Sequence, residues 1–569
     1  MMPEKLIIYQ LFPRLLTNQC ARCVPGGTLE QNGSGKMNDI DDALLVSIKG
    51  LGVNCVWYTG IIEHATKTAF PGIPADDPHV VKGMAGSPYA IKDYYDVAPE
   101  IAVDVDRRME EFEELVTRTH NAGMKVLIDY VPNHTARRYH SDVAPDDVRD
   151  FGADDDDTLF FSPANNYYYL TNQQFSPSFP VGSYAEFPAK ATGNDAFTAF
   201  PGEYDWYETV KLNYGRDPGN GWEYTDPVPD TWLKMLAILR FWASKGVDGF
   251  RCDMVFMVPL EFWHWVIPQI KKYYPHIIFI GEIYDVGQYR PFLDYGCFDY
   301  LYDKVNLYDT LVGIQTHNWS AARLTGAWQT VDGIGPRMLN FLENHDEVRF
   351  GSKAYAGNPA LVLPSLVVSA MINTGPFMLY FGQEIGECAT DNEGFAGDNN
   401  RTTIFDYWSY SSLRRWCDGG RWGTAALTQQ EAWLRALYAR VLHLCNSEKA
   451  VSQGRFFDLM YVNLHNPDLN PHHIFSFMRQ YGDDVLLIAV NFDSVPADIK
   501  INIPDSAFDY MEIKEGDYEA EEMLTGMSSC KKLVRGNTFA TSVPAYGAVI
   551  WKCSVQKLCV SEKSTLSES

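Results

Sequence analysis

The sequence lacks the long apolar run that a membrane-spanning helix needs. Nowhere in its 569 residues are about 18 consecutive apolar residues found, so we predict that the chain does not cross a membrane. Basic residues are also scarce: 47 Lys and Arg stand against 73 Asp and Glu, which gives a formal net charge of −26. This charge argues against nucleic acid or an anionic membrane surface as a partner, because both attract clustered positive charge.

Cysteine pairing and a secretion signal are further features that the sequence does not offer. The 11 cysteines are scattered and odd in number, which favours reduced thiols over a disulfide framework. Cys20 and Cys23 have the spacing of half a zinc site, but no second ligand pair lies nearby. The first ten residues contain no apolar signal core. We therefore expect a cytoplasmic protein, unless a signal peptide has been removed.

What the chain does contain is a globular composition with many aromatic residues. At 569 residues it is too long for one core, so two or three domains are expected. The hydrophobic fraction of 46% and the charged fraction of 21% are globular values. Aromatic residues make up 14%, with 33 Tyr and 14 Trp. They are explained either by a large core or by platforms on which the apolar face of a sugar ring stacks.

One apolar stretch that ends in charge organises the sequence: Gly246-Val-Asp-Gly-Phe-Arg251-Cys-Asp253. Residues i and i+2 of a strand point to the same face, so Arg251 and Asp253 would aim at one spot. The arginine would there keep the aspartate ionised. Residues 230–246 have the pattern of an amphipathic helix with Asp230 as its N-cap. A helix followed by such a strand is typical of α/β barrels and doubly wound sheets, where charged residues at strand ends are usually catalytic.

Three further strand-like runs end in polar residues. They are Lys125-Val-Leu-Ile-Asp129-Tyr-Val-Pro-Asn133-His134, His276-Ile-Ile-Phe-Ile-Gly-Glu282 and Met338-Leu-Asn-Phe-Leu-Glu-Asn344-His345-Asp346. With the stretch around Arg251, these segments resemble, in order, the four signature regions of glycoside hydrolase family 13, the α-amylase family. The resemblance extends from about Leu6 to about Tyr407. Within it, the apolar runs at residues 6–13 and 52–58 predict the first two barrel strands, and residues 375–384 predict the eighth strand and its loop. The resemblance implies an α/β fold, a TIM (β/α)8 barrel with an inserted domain B after the third strand and a C-terminal antiparallel β-sandwich domain.

The resemblance and the spacing of the predicted elements divide the chain into domains. The barrel would comprise residues 1–134 and 226–450, and domain B residues 135–225, where the alternation of strands and helices stops. Short alternating strands from residue 451 onward predict the β-sandwich, at 451–553. The polar residues 554–569 are expected to be a disordered tail.

The resemblance also implies three catalytic carboxylates. Asp253 would be the nucleophile, Glu282 the general acid and base, and Asp346 the residue that holds sugar hydroxyls and favours the distorted ring. Glu282 follows an apolar strand, an environment that favours the protonated carboxyl a general acid needs. Ordinary surface charge is a poor alternative, because each of the three closes an apolar run.

Four further residues would contact the substrate or the nucleophile. By the resemblance, Tyr89 stacks on the sugar ring that is cleaved, although a packed loop tyrosine remains an alternative. His134 and His345 would bind sugar hydroxyls in the transition state, and Arg251 would orient Asp253.

A possible structural calcium ion, with Asn133 as a ligand shared with domain B, is the metal that the resemblance implies. The polar loop at residues 26–39 lacks most of the carboxylates that a calcium loop in many relatives carries. Phe256 and Met257 stand where many relatives have a Lys-His pair, whose histidine carbonyl can bind calcium; the carbonyl of Met257 could still serve. No organic cofactor is implied.

The resemblance therefore implies a retaining α-glucan hydrolase that cleaves internal α-1,4-glucosidic bonds of starch-type glucans or maltooligosaccharides through a covalent glycosyl-enzyme. Val210-Lys211-Leu212-Asn213 resembles a further signature region, in the form found in enzymes of α-1,4-glucans and cyclodextrins. A cyclomaltodextrinase, neopullulanase or glucanotransferase remains an alternative that uses the same residues. A catalytically silent glycan-binding homologue is the non-enzyme alternative. The sequence leaves the oligomeric state open.

Overall fold

The computed structural model describes residues 5–145 and 148–554. The predicted tail therefore lies outside the described residues, apart from Ser554. Within the described ranges, no helix combines the length and the apolar character needed to cross a bilayer.

Eight parallel strands close into a barrel, and each pairs with its neighbours in sequence order, with β8 returning to β1. The strands are β1 (Ile7–Leu11), β2 (Cys55–Tyr58), β3 (Lys125–Tyr130), β4 (Gly249–Cys252), β5 (Ile278–Gly281), β6 (Tyr300–Tyr302), β7 (Met338–Phe341) and β8 (Phe377–Tyr380). The sequence patterns predicted every strand except β6, which is only three residues long and too short to show a period. The predicted (β/α)8 barrel is confirmed.

Helices connect the barrel strands and pack around them. The longer ones are Asp42–Lys49, Arg108–Asn121, Asp230–Ser244, Leu260–Tyr273, Tyr289–Asp294, Asp309–Thr316, Arg323–Thr330, Leu363–Met371, Ser411–Cys417 and Gln429–Ser447. The helix before β4 buries Trp232, Leu236 and Leu239, as its pattern predicted. Its N-cap is Pro229, so the expected N-cap residue Asp230 is instead the first helical residue and pairs with Lys234 at 2.8 Å.

The inserted segment leaves the barrel at the end of β3 and returns before the helix Asp230–Ser244. Its first and last strands, His134–Ala136 and Thr209–Lys211, form an antiparallel ribbon in which His134 lies opposite Lys211. A second small sheet pairs Tyr169–Leu170 with Ala189–Lys190. The ribbon therefore anchors the insertion beside the C-terminal ends of the barrel strands.

Two antiparallel sheets follow the barrel and confirm the predicted C-terminal β domain. A six-stranded sheet has the order β9-β10-β11-β16-β13-β14, and β12 pairs with β15. These strands are β9 (Arg455–Asp458), β10 (Ile474–Tyr481), β11 (Asp484–Asn491), β12 (Ala497–Asn502), β13 (Gly516–Glu522), β14 (Met527–Leu533), β15 (Thr538–Val543) and β16 (Gly547–Cys553). They share one continuous hydrophobic core with the barrel.

Gly249 sets the close approach of the central barrel strands. It pairs with Leu127 of β3 and Ile278 of β5. A Cβ atom at this position would lie 2.4 Å from the carbonyl oxygen of Ile278 and 2.8 Å from a methyl carbon of Leu127. The resulting register places Arg251 opposite Asp129 and brings the ends of β4 and β5 together.

We predict that Gly249→Ala destabilises the barrel. The added methyl group has no space between two strands, and overpacking of this kind costs about 1–3 kcal/mol. The measurement is the midpoint of urea or thermal unfolding. Gly326→Ala is the matched control, because Gly326 lies in the helix Arg323–Thr330 with no atom within 4 Å of the added Cβ. This substitution should leave the free energy of unfolding unchanged or raise it by up to about 1 kcal/mol, so the midpoint should stay the same or increase. Equal midpoints for both variants would contradict this account of Gly249.

Candidate active site

The carboxylates predicted from the sequence lie together at one end of the barrel. Asp253, Glu282 and Asp346 each follow a barrel strand, and parallel strands present their C-terminal ends at the same face. Asp253 is 6% exposed and Glu282 is 2% exposed, whereas the side chain of Asp346 is 40% exposed. The first two are therefore almost withdrawn from water, and the third is open to the cleft.

Arg251 joins two of these carboxylates through one buried guanidinium. Its Nη1 lies 2.7 Å from Oδ1 of Asp253, and its Nη2 lies 2.8 Å from Oε2 of Glu282. Nη1 is also 3.4 Å from Oδ1 of Asp129. The rings of Trp57, Tyr89 and Tyr302 lie within 6 Å of its central carbon, a distance at which cation–π attraction acts. The expected contact between Arg251 and Asp253 is present.

The protonation of Asp253 differs from what its arginine partner alone would give. Burial raises the pKa of this carboxyl well above its ordinary value of 3.8; Arg251 opposes the shift, and the neighbouring carboxylates of Glu282 and Asp346 reinforce it. The sequence suggested that Arg251 keeps Asp253 ionised, but the guanidinium is shared with Glu282 and Asp129. Two buried carboxylates beside one cation favour the state in which they share one proton.

Glu282 is oriented by two further groups. The backbone N–H of Met254 donates to Oε2 at 2.8 Å, and the hydroxyl of Tyr284 donates to Oε1 at 2.5 Å. Met254 has a φ of +45°, a left-handed conformation that is uncommon for this residue type. The loop after β4 therefore positions the carboxylate that follows β5.

A hydrogen-bonded chain links Asp346 to the first barrel strand. Nε2 of Gln10 lies 2.8 Å from Nδ1 of His345. The other ring nitrogen, Nε2, lies 3.0 Å from Oδ2 of Asp346 and 2.6 Å from the hydroxyl of Tyr89. Burial raises the pKa of Asp346, but His345, Arg251 and Arg401 together lower it by more, and the pKa falls to about 2. Asp346 is thus an ionised acceptor at the open side of the cleft.

Sequence reasoning missed Gln10 and Trp57, which belong to the same cluster. Nε1 of Trp57 donates to Oδ2 of Asp129 at 3.0 Å and so positions the carboxylate that supports Arg251. Tyr89 donates to the other oxygen of Asp129 at 3.3 Å, and its ring stacks on His345 at 5.1 Å. Gln10 and Trp57 lie near the ends of predicted strands β1 and β2. Extending the strand-end argument to those strands would have found them.

His134 and Asn133 lie beside this cluster, at the start of the inserted segment. The imidazole of His134 is buried against the indole of Trp206 at 5.4 Å. Burial, together with the nearby Lys211 ammonium, lowers the pKa of His134 to about 3, so the ring is neutral in ordinary buffers. A neutral imidazole in this place can donate and accept one hydrogen bond each.

The surroundings of Asn133 do not fit a calcium ion. Its Oδ1 accepts a hydrogen bond from the ammonium of Lys211 at 2.5 Å, and its Nδ2 donates to the carbonyl of Gly193 at 2.7 Å. The carbonyl of Met257, the other ligand considered from the sequence, also accepts from Lys211, at 3.0 Å. A calcium ion needs six to eight oxygen ligands, and a bound ammonium repels it.

The cysteines of the described part of the chain, including Cys20 and Cys23, are free thiols.

Comparison with known proteins identifies the two parts of the chain. Residues 26–453 match the family model of the α-amylase catalytic domain, and residues 465–554 match the α-amylase C-terminal all-β domain. Alpha-amylase 3 of Dictyoglomus thermophilum is 27% identical over 323 residues, which cover 52% of this chain and 53% of that protein. Alpha-amylase 2 of the same organism is 19% identical over 542 residues, covering 94% and 76%.

Other matches are to a transferase and to solved structures. An α-1,4-glucan:maltose-1-phosphate maltosyltransferase of Cereibacter sphaeroides is 25% identical over 130 residues, 20% of this chain and 22% of that protein. The structure of a maltogenic α-amylase, AmyB, from Thermotoga neapolitana superposes with a TM-score of 0.62 at 19% identity, covering 97% of this chain and 99% of that one. At this identity the structural likeness shows the fold alone. The first relative named is matched over only about half its length.

The pKa of Asp253 predicts where activity is lost at low pH. Acidification protonates the carboxylate, so kcat/KM should fall as pH drops, with a midpoint well above the ordinary aspartate value of 3.8. Arg251→Gln removes the cation that opposes this shift and should move the midpoint to higher pH while lowering the maximal rate. The measurement is the pH profile of kcat/KM on maltoheptaose, with circular dichroism at each pH to monitor folding.

The control is Arg240→Gln, which removes an exposed arginine that lies over the ring of Tyr273 and should leave the profile unchanged. Full wild-type activity down to about pH 4, close to the unshifted pKa, would contradict the assignment.

Proposed function

The chain belongs to the α-amylase family of glycoside hydrolases, and on this basis we propose that it is a retaining α-glucan hydrolase acting on internal α-1,4-glucosidic bonds of starch-type glucans or maltooligosaccharides. The observation that carries the proposal is the pair of buried carboxylates, Asp253 and Glu282, held by the guanidinium of Arg251. A retaining glycosidase needs two carboxyl groups about 5–5.5 Å apart, one ionised and one protonated. The cation shared by the two carboxyl groups supports such a state, because it lets one of them ionise beside the other.

In the first step, a carboxylate oxygen of Asp253 attacks the anomeric carbon of the glucosyl unit. The bond between that carbon and the leaving-group oxygen breaks, and the oxygen takes the proton from Glu282. The product is a glycosyl ester of Asp253. Asp346, ionised and open to the cleft, accepts hydrogen bonds from sugar hydroxyls, and the ring of His345 lies beside it with Nε2 3.0 Å from Oδ2 of Asp346. These bonds strengthen as positive charge develops on the ring.

In the second step, Glu282 acts as a base. It removes a proton from water, whose oxygen attacks the anomeric carbon and displaces the carboxylate of Asp253. Two displacements at the same carbon retain its configuration. The ion pair with Arg251 and the hydrogen bonds from Met254 and Tyr284 hold Glu282 in place while its charge changes between the two steps.

A glucanotransferase is the second candidate function. It uses the same carboxylates and replaces water in the second step by the hydroxyl group of an acceptor sugar. The similarity to a maltosyltransferase supports keeping this alternative. Cyclomaltodextrinase and neopullulanase specificities also remain alternatives, because a shared fold does not fix the substrate. A silent glycan-binding homologue is less well supported, because all three carboxylates and their partners are present in one cluster.

Asp253→Asn is expected to lower kcat by a factor on the order of 10³ or more while leaving the fold intact, because an amide cannot form the glycosyl ester. The measurement is glucose-equivalent release from maltoheptaose by the purified variant, with circular dichroism as the folding control. Asp248→Asn is a matched control: Asp248 precedes the same strand but binds His120 and the backbone of Val126 away from the cleft. Appreciable residual activity in Asp253→Asn would rule out the nucleophile role.

The time course of products from maltoheptaose tests hydrolysis against transfer. We expect only shorter maltooligosaccharides from the wild type, and none from Glu282→Gln, which cannot supply the proton. Chromatography of samples from the first few per cent of conversion is the measurement. Early products longer than the substrate would show that transfer outcompetes water. No turnover by either protein would favour the glycan-binding alternative.

A further inference from the structure

Lys211 joins the inserted segment to two loops of the barrel. Its ammonium lies 2.5 Å from Oδ1 of Asn133, 3.0 Å from the carbonyl oxygen of Met257 and 2.7 Å from Oδ1 of Asp195. Asn133 comes after β3, Met257 after β4, and Asp195 from within the insertion. One side chain therefore connects three separate parts of the chain at the edge of the candidate active site.

The partners of Lys211 match an ammonium group in number and in charge. An ammonium has three N–H donors, and three oxygen atoms lie within hydrogen-bonding distance. Asp195 supplies the one negative charge that neutralises it. Lys211 is only 6% exposed, so a charge there requires such a partner.

We propose that the ammonium of Lys211 takes the place of a structural calcium ion, so that the insertion is held against the barrel without a metal at this site. Calcium was expected from the sequence to use Asn133 and the carbonyl of Met257, and Lys211 occupies both oxygens. A divalent ion in the same place would need at least three more oxygen ligands and would leave an excess of positive charge. The cross-link consequently forms when the chain folds and does not depend on free calcium.

The position of Lys211 gives this cross-link a consequence for the site. Lys211 is the register partner of His134 in the ribbon that begins and ends the insertion. The ammonium and the ribbon together fix the backbone of His134 beside Tyr89, Asn133 and Trp206. A bound ion can dissociate, and its stabilisation falls with its concentration. A covalently attached ammonium contributes equally at every calcium concentration.

The test compares melting temperatures in EDTA and in millimolar CaCl2. The wild type should show no shift that depends on Asn133. Lys211→Ala leaves the three oxygens without their cation and should melt lower by roughly 5 °C or more. Methylammonium, which carries the same single charge and three N–H donors into the vacated space, should recover part of that loss. Lys190→Ala is the matched control, because Lys190 is a lysine of the same insertion that donates to the carbonyl of Arg137 instead. It should melt lower without recovery by methylammonium.

Two results would overturn the proposal. One is a wild-type melting temperature that falls in EDTA, returns with calcium and loses this response in Asn133→Ala, because the native protein would then bind the ion at Asn133. The other is a Lys211→Ala protein that melts at the wild-type temperature. The wild-type and Asn133→Ala measurements test the proposal even if Lys211→Ala fails to fold. Ions bound at other sites affect the wild type and Asn133→Ala equally, so they do not change the difference between the two proteins. Because the readout is melting, the result does not depend on the proposed catalytic function.

Discussion

Arg251 holds its guanidinium among the carboxylates of Asp129, Asp253 and Glu282, with almost no access to water. Burying an ion costs several kcal/mol, and a barrel mouth with several buried carboxylates and no cation would be strongly unfavourable. Arg251 offsets this cost because its planar fork presents separate nitrogen atoms to Asp253 and Glu282. The aromatic rings around it exclude water and add cation–π attraction.

The same arrangement controls protonation. One cation cannot neutralise three carboxylates, so the cluster favours a state that retains a proton. Glycosidic bond cleavage with retention needs that state, since one carboxyl group must attack while its neighbour gives up a proton. Asp346 is set apart by its exposure and by His345, Arg251 and Arg401, which together lower its pKa to about 2. Burial and pairing thus shift the pKa values of Asp253 and Asp346 in opposite directions, although their intrinsic acidity is the same.

The inserted segment repeats this solution with a different cation. At its junction with the barrel, Lys211 gathers Asn133, Asp195 and the carbonyl of Met257. The two cations lie at the ends of neighbouring structural units: Arg251 comes from the barrel, and Lys211 from the ribbon that leaves it. Side chains of the chain itself therefore neutralise the polar groups gathered at these points, and they do so once the chain has folded.

Much of the site was predictable because its residues follow apolar runs. Asp253, Glu282 and Asp346 each close such a run, and parallel strands present their ends at one face. The strand β6 was missed because three residues show no period. Gln10 and Trp57 were missed because the strand-end argument was applied only to runs that end in charged residues, whereas β1 and β2 end in uncharged ones. The N-cap of the helix Asp230–Ser244 was misplaced by one residue, since Pro229 and Asp230 both suit a helix start.

The sequence by itself determined the barrel, the insertion after the third strand, the C-terminal β domain and the identity of the three carboxylates. Hydrophobic periodicity and strand-end charges are local properties, so they can be read along the chain. Only the tertiary structure decided which groups share a cation, that burial raises the pKa of Asp253, and that Lys211 rather than an open oxygen cage lies at Asn133. Those outcomes depend on distance and burial among residues far apart in sequence, and neither quantity exists before the chain has folded.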